Sequence, residues 1–527
     1  MAIEAAGIKF GDIDARHEIL ARDPSKRRLF LDAFFVPDEQ QLNDMRLGEK
    51  FIIIGPKGCG KTAYLRFLHH SLDENKNSKS KFILFRDDVT SQDREKILPN
   101  SKLRLYDNGD DDENSEFVDC VASWQLFIHR EIAEILSRSA MCAKTSDVIN
   151  YIGIIERFFA NNQGAKFRGL LSRIKKGRAK LGPAGMELEA EFVDQEGNVD
   201  ISEMVRYCNG VVSNLHFDSE LKDSRINIFF DEINISFVSG SDFKRNAILI
   251  RDLVSACGIM NTIFAERNLP IYIYTAIRSD VVDSVEGSVR ELKKWVDDKG
   301  VYLDWYTSGI DYKDQPIIQL LKKRIQANEK SLDPTFSKEI ILENYFEKKI
   351  SDRPIADFLI FESWARPRDL VRLLGEAAKF VSKGSKFNAN SFQKSKSTYS
   401  LGSWEEKKDE LNSKYAQGDI DNIKRILTGF KVNFTLPEFD RRIDFLAKSD
   451  PRINQFYTGR VLSVVLEDLY RVGVLGNIRK TEKGGQFPSY RYTGLSNFSV
   501  QTKMCVHKSL WRELDLQNNV GQGKHRG

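Results

Sequence analysis

The sequence predicts an α/β protein: a parallel sheet flanked by helices, followed by a helical lid and a C-terminal winged-helix unit. Two observations carry the first part. Five short apolar runs rich in β-branched and aromatic residues recur at 51–54, 82–85, 226–230, 271–274 and 301–303. Near-continuous apolar strands of that length suit a parallel sheet buried on both faces. Helical periodicity lies between them, at 62–72, 124–136 and 247–266, and strand alternating with helix is the α/β pattern.

A chain of 527 residues has room for several units of about 100–200 residues each. With 41% hydrophobic and 30% charged residues, global disorder is excluded, and the net charge of +4 gives no argument from overall basicity. No apolar run approaches the roughly 18–20 residues of a membrane span, and the first eighteen residues are too charged for a secretory core. The expectation is a soluble, cytoplasmic protein with no membrane association. The six cysteines show no C-x-x-C spacing, so buried free thiols are expected rather than a structural metal site.

Along the chain, 1–310 reads as the α/β core, with a less regular, mostly helical insertion at about 90–220. The insertion holds an acidic run at 107–116 with six acids and no base, and a basic run at 166–180 with seven bases and no acid. The first reads as a solvated loop tip; the second is either a solvated helix face or an amphipathic helix that meets nucleic acid. The region 311–430 reads as helical lid and spacer, with helices at 316–326, 338–348 and 367–380 and a polar spacer rich in Lys, Ser and Asn at 383–403. In 431–515, a helix at 459–472 stops at Gly473, and Val474-Leu475 leads through a turn-rich stretch to Tyr490-Arg491-Tyr492. Helix followed by hairpin is how a winged helix reads. The tail 516–527 has nothing to bury, so disorder is expected there.

The chemistry begins at Gly55-Pro56-Lys57-Gly58-Cys59-Gly60-Lys61-Thr62, which fits G-x-x-x-x-G-K-[ST] between an apolar strand and an amphipathic helix. Glycines let the backbone fold tightly, so that N–H groups and a helix N-terminus face phosphates. Lys61 then meets the β- and γ-phosphates, and the Thr62 hydroxyl ligates Mg²⁺. The run 226–230 ends in Asp231-Glu232, as a Walker B strand does; Asp231 would hold Mg²⁺ through water and Glu232 would polarise the attacking water. The strand at 271–274 runs into Thr275-Ala276-Ile277-Arg278-Ser279-Asp280. Arg278 is the first candidate for sensing the γ-phosphate and Thr275 the second, against the plainer reading of an arginine paired with Asp280. Arg366-Pro367-Arg368-Asp369 opens a helix whose N-terminus and arginine would reach the phosphates from the lid. The only N-K pair, Asn75-Lys76, lacks the aspartate of a guanine-binding N-K-x-D, so ATP is favoured, and no L-S-G-G-Q-like signature points to an ABC-type ATPase.

Together, GPKGCGKT, INIFFDEIN, YTAIRSD, the RPRDLVRLL lid helix and the winged-helix pattern resemble the AAA+/STAND superclass of additional-strand P-loop ATPases. More narrowly, the chain is similar to a family of bacterial P-loop ATPases in which F-F-V-P (34–37), K-G-x-G-K-T-A and a terminal H-x-x-L-W (507–511) recur. The resemblance implies a five-stranded parallel sheet, nucleotide contacts from Lys61 and Thr62, Mg²⁺ at Asp231, Glu232 as catalytic base, Arg278 as first sensor and Arg368 as second. It also implies an oligomeric, ATP-controlled switch acting with a separate effector or partner protein, with anti-phage defence as a suggested setting. The alternative is a DNA-binding motor or loader resembling origin-recognition ATPases. The long insertion before Walker B departs from a standard module, and Arg290 is the only candidate for an arginine acting in trans. On the winged helix, Arg460, Arg471, Arg479, Lys480, Lys483 and Arg491 form the candidate basic surface for nucleic acid, with protein docking as the other use.

Overall fold

Five strands assemble into one parallel sheet: β1 (Ile52–Gly55), β2 (Ser78–Leu84), β6 (Arg225–Asp231), β7 (Ile271–Arg278) and β8 (Gly300–Tyr302), in the order β2-β6-β7-β1-β8. The computed structural model describes residues 3–75, 77–84, 121–160, 174–175, 178–180, 198–218, 221, 223–231, 240–285, 290–412, 414–480, 484–494 and 497–517. Every apolar run expected as a core strand contributes to this sheet. The register sets Gly55 beside Arg278 and Leu84 beside Asp231. Because the strands are parallel, the ends of β1, β6 and β7 share one edge, where α/β folds place their ligands.

Aromatic side chains tie neighbouring strands together. Phe82, Phe229 and Tyr274 stack across β2, β6 and β7 at 4.8 and 4.9 Å between centroids, the cross-strand contact that stabilises a sheet face. Trp124 and Phe127, from the helix Val121–Ser137, pack on Phe230. Helices flank the sheet, among them Lys61–Asp73 after β1 and Gly240–Glu266 beside β7.

The insertion contains the helices Val121–Ser137, Ser146–Ala160 and Ile201–Val212. The basic run departs from a helical reading: its described residues form β3 (Ile174–Lys175) and β4 (Arg178–Lys180), and β4 pairs with β5 (Asn198–Asp200). Pairing with a partner twenty residues onward leaves no periodicity in a local window. The acidic run at 107–116 lies outside the described residues. Cys59, Cys142, Cys208, Cys257 and Cys505 are buried free thiols. Among the described residues, no cluster of ligating side chains suits a metal, and no helix is long and apolar enough to cross a membrane.

The lid is where the sequence reading needs most correction. The stretch at 338–348 is not helical: it makes a 3₁₀ turn at Leu342–Asn344 and then β9 (Lys349–Ile350), which pairs with β10 (Arg353–Pro354). Phe346 bridges to Phe387 and stacks on it at 4.8 Å, so a distant pairing overrides local helical periodicity. The expected polar spacer is a 23-residue helix, Ala389–Leu411. Its Ser391, Ser395, Ser400 and Ser403 are wholly buried, which lets it lie close against the helix Pro367–Ala378. Composition reads them as spacer, but Ser391 closes a capping box with Asn388, Ser395 donates to the Phe392 carbonyl at 3.1 Å and Ser400 accepts the Glu513 N–H at 2.9 Å.

The C-terminal unit is a winged helix. Helices Leu436–Ala447, Pro451–Thr458 and Leu462–Arg471 precede the hairpin of β12 (Leu475–Lys480) and β13 (Gln486–Ser489), in a sheet ordered β11-β14-β12-β13 with β11 (Asn433–Phe434) and β14 (Met504–Val506). The helix expected at 459–472 starts only at Leu462, because 459–461 forms the turn between two helices. The returning strand ends at Ser489, so Tyr490–Tyr492 lies just beyond it. Leu516 and Gln517 still pack: the Gln517 N–H donates to the Phe430 carbonyl at 2.7 Å. The rest of the tail is outside the described residues.

Candidate functional site

The loop after β1 turns on two left-handed glycines, Gly58 (φ +81°) and Gly60 (φ +97°), a conformation that side chains rarely adopt. A Cβ on Gly58 would also stand 3.2 Å from Arg368. Gly60 caps the helix that begins at Lys61, so the helix N-terminus opens onto the loop. Lys61 folds back, its Nζ donating to the carbonyls of Gly55 and Pro56 at 2.9 Å each. Burial lowers the proton affinity of its ammonium. Cys59 is buried beneath the loop, and its carbonyl accepts from Trp305 Nε1 at 2.7 Å.

The Thr62 hydroxyl donates to Asp231 Oδ1 at 3.1 Å. A hydroxyl and a carboxylate are hard oxygen donors of the kind Mg²⁺ takes, together with phosphate oxygens and water. These two groups therefore fit a Mg²⁺–phosphate ligand. Arg278 closes the site from β7. Its Nε and Nη2 reach Asp280 at 2.9 and 2.5 Å, so the plainer reading holds as well, and the pair is partly buried. Arg368 comes from the lid: its N–H donates to the Gly58 carbonyl at 3.3 Å, and its Nη1 donates to Glu406 at 3.3 Å.

Lys61, Thr62, Asp231, Arg278 and Arg368 line one cavity of about 400 Å³. Lys57, Gly58 and Gly60 line it too, and the remaining sequence candidates are placed differently. Thr275 is wholly buried inside the sheet, paired in register with Ile52 and Phe230, and does not reach the cavity. The Lys57 side chain turns to the lid, pairing with Asp409 at 2.7 Å and Glu406 at 3.2 Å. Glu232 lies outside the described residues. Arg290 opens the helix Arg290–Lys299, and its side chain is likewise outside them.

The sequence analysis missed a buried ionic group behind the loop. Arg366 Nη1 donates to Glu410 at 2.6 Å and to the Lys57 carbonyl at 3.4 Å, and Lys407 Nζ donates to the same carboxylate at 3.1 Å. Burial alone would raise the Glu410 carboxyl, but Arg366 and Lys407 hold it at about 2. Lys407 also lies 4.5 Å above the Trp364 ring. Trp364 in turn stacks on His507 at 4.0 Å, and its Nε1 donates to the Gly473 carbonyl at 2.8 Å. Trp364 and Ala365 both have positive φ, +49° and +48°, which costs a non-glycine residue about 1–2 kcal/mol. The contacts to the phosphate loop and the winged helix hold this turn in place. The i, i+3 spacing of Lys407 and Glu410 was visible in the sequence, but only the fold reveals that they are buried.

Burial drives His507 well below the ordinary imidazole range and His129 to about 4. Both are therefore neutral in the fold at neutral pH, while the unfolded chain takes up protons below about 6.5. The contribution is complete above that pH and shrinks as pH falls, by up to about 1.4 kcal/mol per pH unit for each histidine. His129 stops contributing to the slope near its folded value of about 4. The urea midpoint should fall between pH 7.5 and 5.5, and less steeply in His507→Phe; a flat profile in the parent protein would refute the neutral assignment.

The loop, the strand order and the edge placement of Asp231 and Arg278 settle the architecture. This is the P-loop NTPase fold. Residues 315–406 match the family model described as a FunZ-associated C-terminal helical domain. No curated protein matches the chain. Among solved structures, it is similar to the Walker-type ATPase of Pyrococcus abyssi, with 14% identity over 87% of this chain and 95% of that one and a TM-score of 0.34.

Proposed function

We propose that this chain is a Mg²⁺-dependent ATPase of the AAA+/STAND type. It works as an oligomeric switch with a separate partner protein, and the bacterial defence setting rests on the sequence resemblance. The observation that supports the ATPase reading is the convergence of Lys61, Thr62, Asp231, Arg278 and Arg368 on one cavity. Bound Mg²⁺ would supply neutralisation of the phosphate oxygens. Lys61 exchanges its two loop carbonyls for phosphate oxygens, Arg278 leaves Asp280 for the terminal phosphate, and Glu232 takes a proton from the attacking water. Arg368 is the mobile element: drawn toward phosphate, it loosens from Glu406 and shifts the lid helix that carries it. Arg366 and Trp364 pass that shift from the loop to the winged helix.

Protein docking is favoured over the DNA motor or loader by the surface of the winged helix. Around the helix Leu462–Arg471, the exposed residues include Val461, Val464 and Glu467, a poor match to phosphates. Three of the six candidate bases are engaged within the chain: Arg460 with Asp419 at 2.6 Å, Arg471 with Glu467 at 2.7 Å and Arg479 with the Asn497 carbonyl at 3.0 Å. Arg491 lines a cleft shared with Arg366. Lys480 is exposed, and Lys483 is outside the described residues.

Glu232→Gln should retain Mg²⁺-ATP while turnover drops by about 10²–10⁴-fold, the usual weight of a positioned base. Steady-state phosphate release checks this, and undiminished turnover removes Glu232 from the role. The ATP-loaded variant is also the sample for light scattering over a concentration series. A mass that stays monomeric returns the protein to a single-chain switch.

A further inference from the structure

Tyr64 lies one helical turn past Lys61, so both side chains share a helix face, and both line the same cavity. Its ring is fixed against Phe34 at 6.0 Å, edge to face. The residue is only 2% exposed, yet its hydroxyl has no hydrogen-bond partner among the described residues. Buried tyrosine hydroxyls ordinarily find one, and leaving such a group unsatisfied costs about 1–3 kcal/mol. A ligand in the cavity is the natural partner.

The surrounding charge says which part of a ligand that is. Lys61, Arg278 and Arg368 bring the cavity its cations around the phosphate loop, with the carboxylates of Asp231, Glu406 and Asp409 lining it beside them. The charged groups that act on Tyr64 are mainly Asp38 and Glu39, with Arg46 opposing them more weakly. Asp38 is fixed there by accepting from the N–H groups of Gln40 and Gln41. A field dominated by two carboxylates repels phosphate and favours a neutral group that brings an N–H donor. On the edge that carries position 6 and N7, adenine presents an amino donor beside a ring-nitrogen acceptor, whereas a 6-oxo purine presents acceptors only. The hydroxyl accepts from the first; toward the second it can only donate, and the carboxylate field disfavours an edge made of acceptors alone.

We propose that the Tyr64 hydroxyl reads the base of the bound nucleotide, accepting from the 6-amino group and selecting adenine over purines that carry a 6-oxo group on that edge. This rests on the cavity being the nucleotide site, and the test separates the two ideas. Affinities for Mg²⁺-ATP, Mg²⁺-ITP and Mg²⁺-tripolyphosphate are measured by competition in the parent protein and in Tyr64→Phe, which keeps the ring and its packing. The parent should prefer ATP to ITP. In the variant, ATP affinity should fall about ten-fold, with ITP and tripolyphosphate within about two-fold of the parent. Without nucleotide, the variant should melt no lower than the parent, because it loses only an unsatisfied group. Unchanged ATP affinity, an equal loss for ATP and ITP, or a markedly lower ligand-free melting temperature overturns the assignment. A parent protein that binds neither ATP nor tripolyphosphate instead sinks the nucleotide reading itself, and the Tyr64 assignment with it.

Discussion

Lys61→Ala should lower affinity for Mg²⁺-ATP by about 10²–10³-fold, the order expected when one partner of a buried, hydrogen-bonded charge pair is removed. The fold itself should not suffer. The part-buried ammonium donates to the neutral carbonyls of Gly55 and Pro56 and reaches the Cys59 sulfur at 3.9 Å, and desolvation already weakens its hold on the proton. Removing it relieves that desolvation while leaving two carbonyls to find water, and the two effects oppose each other. The expected signature is a melting temperature close to the parent's without nucleotide, together with loss of the upward shift that ATP gives the parent. A variant that keeps the shift would show that Lys61 does not face the phosphates.

Local chemistry made part of this site legible and tertiary chemistry hid the rest. GPKGCGKT and the acid after an apolar strand carry their own spacing, so Lys61, Thr62 and Asp231 were readable; Arg278 followed from its place at a strand end. The five strands were readable because apolar runs buried on both faces need no partner to be recognised. The lid was misread for two physical reasons. Phe346 and Phe387 lie 41 residues apart and make one bridge, and Ser395 and Ser400 of Ala389–Leu411 are small enough to be buried with their hydroxyls bonded inside the fold, which composition reports as solvent-facing polarity. Trp305 is invisible for a third reason: it holds the loop through a backbone carbonyl, and no side-chain pattern encodes that bond.

Glu410→Ala should destabilise the lid by about 3–5 kcal/mol, the cost of breaking a buried ion pair so that charge remains uncompensated. Arg366 and Lys407 both donate to the Glu410 carboxylate, and both are buried. Asp369 cannot take over fully, because it already pairs with Arg372 at 3.2 Å, and burial raises its own proton affinity despite the cations around it. Lys407 can shed its proton more readily than Arg366, since burial and the neighbouring arginine already depress it. The residual charge should therefore sit on Arg366, the residue that also donates to the Lys57 carbonyl. The loss of stability and the loss of control over the phosphate loop thus have one cause. In urea the first unfolding transition should move to lower denaturant, and ATP turnover should fall at temperatures where the variant is still folded. Replacing Arg366, Lys407 and Glu410 together by apolar residues of similar volume should restore much of the stability, as it does for buried ionic groups generally, while turnover stays low. A Glu410→Ala protein that unfolds with the parent would mean that water reaches the cluster, and a triple variant with normal turnover would remove it from the path between loop and winged helix.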